Sequence, residues 1–172
     1  PLYRRALAIR EKALPPNHPD VAAAKGNIAA LYLAQGKLEQ AYGILKELKS
    51  STGLGRYHLL KGDWRAAQEQ FRQALEYFRK TRESAPLLAS YIGLGLSLEG
   101  LGQPQEAADS FQRAVERMEE QRAALTPAAR THFLDGEVGA SFKRILAYEG
   151  LVRVKGKLSD PAGAFFWSEH TK

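Results

Sequence analysis

Three stretches of this chain, Ala41 to Leu48, Ala67 to Ala74 and Ala107 to Ala114, repeat one pattern in helices that each follow a glycine turn. Ile28-Ala29-x2-Tyr32 stands before the first and Leu94-Gly95-x2-Leu98 before the third, at the same distance. Small and large residues alternating at helical spacing on both sides of a glycine give each hairpin an apolar face that it cannot bury alone. The solution is to stack hairpin on hairpin, so the pattern predicts an all-α solenoid, an architecture that builds long binding surfaces more often than catalytic pockets.

The elements can be placed along the chain. Residues 2–14 read as one helix, stopped by Pro15-Pro16-Asn17-His18-Pro19-Asp20. A helix then runs from about Asp20 to Gln35 on the stripe Val21, Ala24, Ile28 and Leu31, and Gly36 ends it in a left-handed conformation. Its partner begins near Leu38, with Ala41 at the close contact. Helix axes about 8–10 Å apart need Ala or Gly where they come nearest. Ala29 with Ala41, Gly55 with Ala67, and Gly95 with Ala107 are predicted as such pairs.

The spacing is uneven. From Ala41 to Ala67 is 26 residues and from Ala67 to Ala107 is 40, against a usual unit of about 34. Either the second hairpin is truncated, or residues are absent between Leu48 and Thr52. Its first helix can only run from about Thr52 to Lys61, ended by Gly62. In the third unit the stripe Leu87, Tyr91, Leu94, Leu98 and Leu101 is closed by Gly102, and Pro104 opens the partner with its own stripe of Ala107, Phe111, Ala114 and Met118. Thr126-Pro127 and Asp160-Pro161 are helix starts. A long helical stretch, broken near Asp135-Gly136 at most, is expected between Pro127 and Leu158. Tyr148 stands to Ala164 as Tyr91 stands to Ala107, which marks a fourth, modified unit. The organisation is a partial repeat over 1–14, repeats over 20–50, 52–84 and 86–124, and a longer one over 127–172.

With these residues the pattern resembles the tetratricopeptide repeat family, whose unit reads W-x2-L-G-x2-Y…A-x3-F…P. Ala67-x3-Phe71-x2-Ala74 and Ala107-x3-Phe111-x2-Ala114 match its second helix. The tryptophan position holds Lys25, Ser51, Tyr91 and Tyr148, and Leu48 replaces an expected alanine. The resemblance implies a right-handed superhelix of about four hairpins. The segments Tyr3 to Leu14 and Asn17 to Ala22 look like the variant of kinesin light chains and many bacterial proteins. The stretch from Tyr148 to Lys172 is similar to the junction preceding CHAT domains, which are caspase-like. Ala164, Phe165 and Glu169 fit the start of that junction helix, and the catalytic His and Cys of such a domain would lie beyond Lys172.

The family resemblance also implies a site. The first helix of each hairpin lines the concave side, which nominates Asn27 and Ala30, then Arg56 and Leu59, then Ile92, Leu96 and Glu99, then Glu149 and Arg153. Ala30 and Gly93 stand where chaperone-binding members carry carboxylate-holding side chains, so a carboxylate clamp is not expected. A mixed groove, apolar around Ile92 and Leu96 with charged edges, suits an extended or helical peptide.

Composition and motifs bound the alternatives. There is no cysteine, which excludes disulfides and thiolate metal sites. No apolar run approaches the roughly 20 residues that span a bilayer. The net charge of +6 is spread along the chain, a weak signal for nucleic acid. His18, His58, His132 and His170 lack metal-ligand spacing. No nucleophile elbow or phosphate-cradling loop occurs, so neither catalysis nor a cofactor is expected in this segment. Arg65, Glu69, Arg72, Glu76, Arg79 and Glu83 alternate in sign along one helix face and read as a solvated, laced surface. Lys143, Arg144, Arg153, Lys155 and Lys157 form a denser cationic region.

The expected function is a cytoplasmic protein–protein interaction scaffold that holds a peptide or protein in its concave groove. Small-molecule substrates, nucleic acid and membranes are not the expected partners. Two settings follow from the sequence: the recognition arm of a larger bacterial CHAT-type cysteine peptidase, or a free-standing adaptor. The start inside an amphipathic helix and the bulky end Phe165-Phe166-Trp167 predict a piece of a longer chain, with self-association through the last helix as a further expectation.

Overall fold

The computed structural model describes residues 2–81, 83–131, 133–138 and 142–169. They form α1 (Leu2–Ala13), α2 (Pro19–Ala34), α3 (Leu38–Glu47), α4 (Ser51–Leu60), α5 (Trp64–Thr81), α6 (Ser84–Gly100), α7 (Pro104–Ala123), α8 (Pro127–Thr131), β1 (Glu137–Val138), β2 (Phe142–Lys143), α9 (Ile145–Lys157) and α10 (Pro161–Glu169). The pairs α2/α3, α4/α5, α6/α7 and α9/α10 are four stacked hairpins, with α1 packed on α2 as a leading half-unit.

One device turns the chain within three of the hairpins. Gly36, Gly62 and Gly102 have φ of 71°, 73° and 72°, in the left-handed region that a side chain disfavours. Beyond each, an amide reaches back to close the helix end, Lys37 N to Tyr32 O at 2.9 Å, Asp63 N to His58 O at 2.9 Å and Gln103 N to Leu98 O at 2.9 Å. These bonds satisfy carbonyls that a helix end leaves over. Lys49 and Ser159 make the same turn at φ of 51° and 57° without glycine, closing through Ser50 N to Leu45 O and Asp160 N to Lys155 O, both 3.0 Å.

The stacking rests on two phenylalanines. Phe71 and Phe111 are fully buried, and each ring lies between glycines of successive first helices. A Cβ on Gly55 would come within 2.8–2.9 Å of the Phe71 ring, and one on Gly93, in the next hairpin, would come closer than 3.0 Å to three of its atoms. Gly95 and Gly150 meet Phe111 in the same way, at 2.6–2.8 and 2.5–2.7 Å. To the expected pairing of Gly55 with Ala67 and Gly95 with Ala107 the structure adds a third partner: the atoms nearest each glycine's open face belong to the phenylalanine one turn on. The glycine absorbs a ring, and the buried Ala67 and Ala107 fill what remains.

The aromatic positions serve as inter-hairpin struts. The hydroxyl of Tyr91 accepts from Arg79 Nη2 at 3.1 Å, and that of Tyr148 donates to Glu119. Arg79 and Glu119 occupy the same register of α5 and α7, twelve residues after Ala67 and Ala107. Burial first, and then the Glu119 carboxylate, push the Tyr148 hydroxyl up well above the ordinary phenol range.

Three expectations need correction. The helical stretch expected from Pro127 to before Leu158 is interrupted around Asp135-Gly136, as the sequence allowed, but by more than a break: it is the short α8, the antiparallel pair β1–β2 with Val138 opposite Phe142, and α9. The stripe of α2 runs through Val21, Ala24, Ile28, Ala29 and Leu33, while Leu31 is 37% exposed. The charges on α5 are not laced only along their own helix. Arg72 reaches Glu106 of α7 at 3.7 Å, and Arg79 lies over the Tyr91 ring at 5.7 Å. The short spacing of the second unit appears as ten-residue α3 and α4, against 18 residues in α5 and 17 in α6.

Candidate functional site

Helices α2, α4, α6 and α9 each turn one face to the same side of the stack, and the residues nominated from sequence fall into two groups there. Asn27 and Ala30 of α2 and Arg56 of α4 line one depression of about 200 Å3, together with Tyr3, Leu31, Ala34 and Glu137. Leu59 of α4 and Leu96 and Glu99 of α6 line a second, of about 380 Å3, with Trp64, Gly100 and Lys157. Arg153 joins the second group through an ion pair. Glu149 is exposed on α9, one turn before Arg153, where its charge favours the guanidinium.

Ile92 departs from the expected groove. It is 0% exposed and belongs to the core cluster that also contains Phe133 and Phe142. The short β1–β2 pair lies against this part of the array. β1 contacts α6, and the Phe142 ring lies 6.1 Å from that of Phe71. Glu137 sits beside Arg56: burial pulls the guanidinium below its ordinary value, and the Glu137 carboxylate opposes that pull.

The charge cluster at the other end is well made. The Glu99 carboxylate, whose side chain is only 13% exposed, accepts from Arg153 Nε at 3.2 Å and Nη2 at 2.9 Å, one bond on each oxygen, and from Lys157 Nζ at 2.9 Å. Burial alone would raise the Glu99 carboxyl, but the hydrogen bonds from Arg153 and Lys157 outweigh it and hold it below the usual range. The same bonds raise Arg153. Arg153 and Lys157 thus converge on one carboxylate beside a floor of Leu59, Trp64 and Leu96.

Some lining residues were readable in principle. Leu31 and Ala34 follow Asn27 at helical spacing, and Lys157 follows Arg153 by one turn. Glu137 was not, because its place in the groove depends on the ribbon that sequence periodicity missed. A further depression of about 480 Å3 lies between α2, the α3–α4 junction and the end of α5, where the two short helices leave Tyr77 and Phe78 with less cover.

The histidines take structural roles where they are described. His18 Nδ1 accepts from Asp20 N at 3.2 Å and caps α2, and His58 Nδ1 lies 3.5 Å from Asp63 Oδ2. His132 and His170 lie outside the described residues. Among those described, no cluster of three or more His, Cys, Asp or Glu could hold a metal, and no helix is long and apolar enough to cross a membrane.

The repeat and its packing agree with direct comparison. Tetratricopeptide repeat models match residues 46–120 and residues 1–20. The chain belongs to the tetratricopeptide repeat family. Two solved structures of the nearly identical TPR-like repeats of a Podosopora anserina protein, assigned as a kinesin light chain, share the fold. One superposes with a TM-score of 0.61, and a substituted form of the same protein with 0.63. Each is 21% identical, with 99% of this chain and 82% of theirs covered. No curated protein matches the sequence. Tetratricopeptide arrays are protein–protein interaction scaffolds, and that is the general role of this chain.

Proposed function

We propose that the concave face of this tetratricopeptide array binds an extended segment of a protein partner, with the Asn27–Ala30–Arg56 depression as the principal subsite. The observation that carries this reading is the convergence of Asn27, Ala30 and Arg56, from two successive first helices, on one open depression with Leu31 and Ala34 as apolar walls. A cation, an amide and small apolar surface in one place suit a peptide backbone with an acidic side chain. Leu59, Leu96 and the Glu99–Arg153–Lys157 cluster would take the next part of the same segment.

The test is selection from a displayed peptide library on the purified chain. Selected peptides should lose at least tenfold in affinity on Arg56→Glu or Ala30→Arg, and keep it on Arg113→Glu, an outer-helix change on α7. Binders indifferent to both concave substitutions would remove the groove from the reading.

The setting of the scaffold is proposed on α10. This helix exposes Phe165 at 69% and Phe166 at 53%, while Trp167 packs on Tyr148 with ring centroids 6.2 Å apart. An apolar face of that kind, together with the CHAT-junction resemblance of Ala164, Phe165 and Glu169, supports the recognition arm of a bacterial CHAT-type peptidase. A free-standing adaptor is the alternative. The gene downstream of Lys172 decides between them: an α/β domain with paired His and Cys supports the first, and a stop codon or further repeats support the second.

A further inference from the structure

The segment between α8 and α9 is not needed to continue the stack. α9 packs directly on α7, and Gly150 of α9 receives Phe111 as Gly93 of α6 receives Phe71. The insertion's described residues are tied to one another as well as to the core cluster, to which Phe133 and Phe142 belong. Arg144 Nη1 donates to Phe133 O at 2.9 Å, its guanidinium lies 4.4 Å from the centre of the Phe133 ring, and Arg144 N donates to Gly136 O at 3.0 Å. What it presents to the array is an extended strand with one carboxylate, Glu137, at Arg56, and one aromatic ring, Phe142, at Phe71. That is the chemistry the groove would meet in a bound peptide.

We infer that the ribbon around Glu137 and Phe142 is an intramolecular occupant of the concave groove, and that an extended acidic partner segment must displace it to reach Arg56 and the face of α6. The inference rests on the concave face being the peptide site. Two features of the closed arrangement make it displaceable. Strands of two residues each are too short to hold a sheet by themselves, so the described part of the ribbon depends on contacts outside its own ladder, those with α4, α5 and α6 among them. Closure also leaves Arg144 Nε buried with no hydrogen-bond partner among the described residues, an unmet donor that water can satisfy once the ribbon lifts. A competing strand replaces Glu137 at Arg56 without incurring that cost.

Hydrogen exchange on the intact chain tests displacement without any partner. The amides of Phe142 and Arg144 should exchange at least a hundredfold faster than core amides of α7 and α9, through local opening. Exchange at the rate of those helices would make the ribbon fixed core and overturn the inference. Competition is tested with a fluorescent peptide of residues 133–144 added in trans. It should bind Phe142→Asp at least tenfold more tightly than the unmodified chain, and Arg56→Glu should remove that gain. Glu137→Lys provides the same readout from an exposed position if Phe142→Asp fails to fold. No gain in either folded variant would overturn the competition. Library peptides that bind the concave face equally well in the unmodified chain and in Glu137→Lys would uphold the groove while sinking its self-occupancy.

Discussion

Replacing Gly93 by alanine puts the stacking rule to a direct test. The added Cβ would lie closer than 3.0 Å to Cζ, Cε1 and Cε2 of Phe71, where ordinary contact begins at 3.4 Å. The ring cannot retreat, because it is fully buried and Gly55 already confines its other side, with its own Cβ position 2.8–2.9 Å away. α6 must therefore move off the second hairpin by a substantial fraction of an ångström, or the ring must leave its place. Overpacking of this kind costs about 1–3 kcal/mol. Alanine recovers about 1 kcal/mol of that through its helix propensity. The expected net loss is therefore up to about 2 kcal/mol, or a fall in Tm of at most roughly 6 °C for a chain of this size. Gly43→Ala in α3 and Gly156→Ala in α9 meet nothing within 4 Å and should instead stabilise by about 0.5–1 kcal/mol. Urea titration followed by helical circular dichroism compares the midpoints. In a Phe71→Leu background, Gly93→Ala should cost less, because the two sites are in contact and couple. A rise in midpoint for Gly93→Ala matching that of Gly43→Ala would refute the ring-between-glycines account.

The other expectations are smaller. Lys49→Gly and Ser159→Gly relieve left-handed backbone at non-glycine residues and should each raise stability by about 1 kcal/mol in the same titration. Arg130→Ala removes the guanidinium that bonds the Arg122, Ala123 and Leu125 carbonyls at the end of α7, for a loss of about 1 kcal/mol. Glu99 has a folded pKa held below its unfolded value, so its contribution is present above the unfolded value of 4.5 and is lost as pH falls through the folded one. Glu99→Gln should therefore lower stability at neutral pH by about 1 kcal/mol, discounted for the half-exposed cations, and flatten the acid limb of the stability profile. The core is divided between one cluster of Ala29, Leu33, Ala41, Leu45 and Tyr57 and another built on the later hairpins. Amides of α2 and α3 should accordingly lose protection before those of α6 and α7 in a hydrogen-exchange series with denaturant.

Much of the architecture was legible along the chain because its causes are local. Gly36, Gly62 and Gly102 mark turns by a backbone freedom that needs no tertiary context, and Pro104, Pro127 and Pro161 open helices for the same kind of reason. Asn27, Ala30 and Arg56 could be assigned to one face from helical spacing and a family pattern. Their convergence in one depression required only that the hairpins stack as the repeat predicts.

What the tertiary structure alone decided lies where distant residues compete for one space. Gly55 and Gly93, 38 residues apart, have a common function because both lie against Phe71, a relation that no local period carries. Ile92 has the spacing of a groove residue yet is buried, because the chain returns after α8 and lays a short strand over α6. Glu137–Val138 and Phe142–Lys143 read as helix by continuity with their flanks. They form an antiparallel pair instead, with Phe142 lying against Phe71 and Glu137 beside Arg56, contacts that no local period announces. Local periodicity determines which faces a helix has; the long-range packing of the array determines what comes to lie against them.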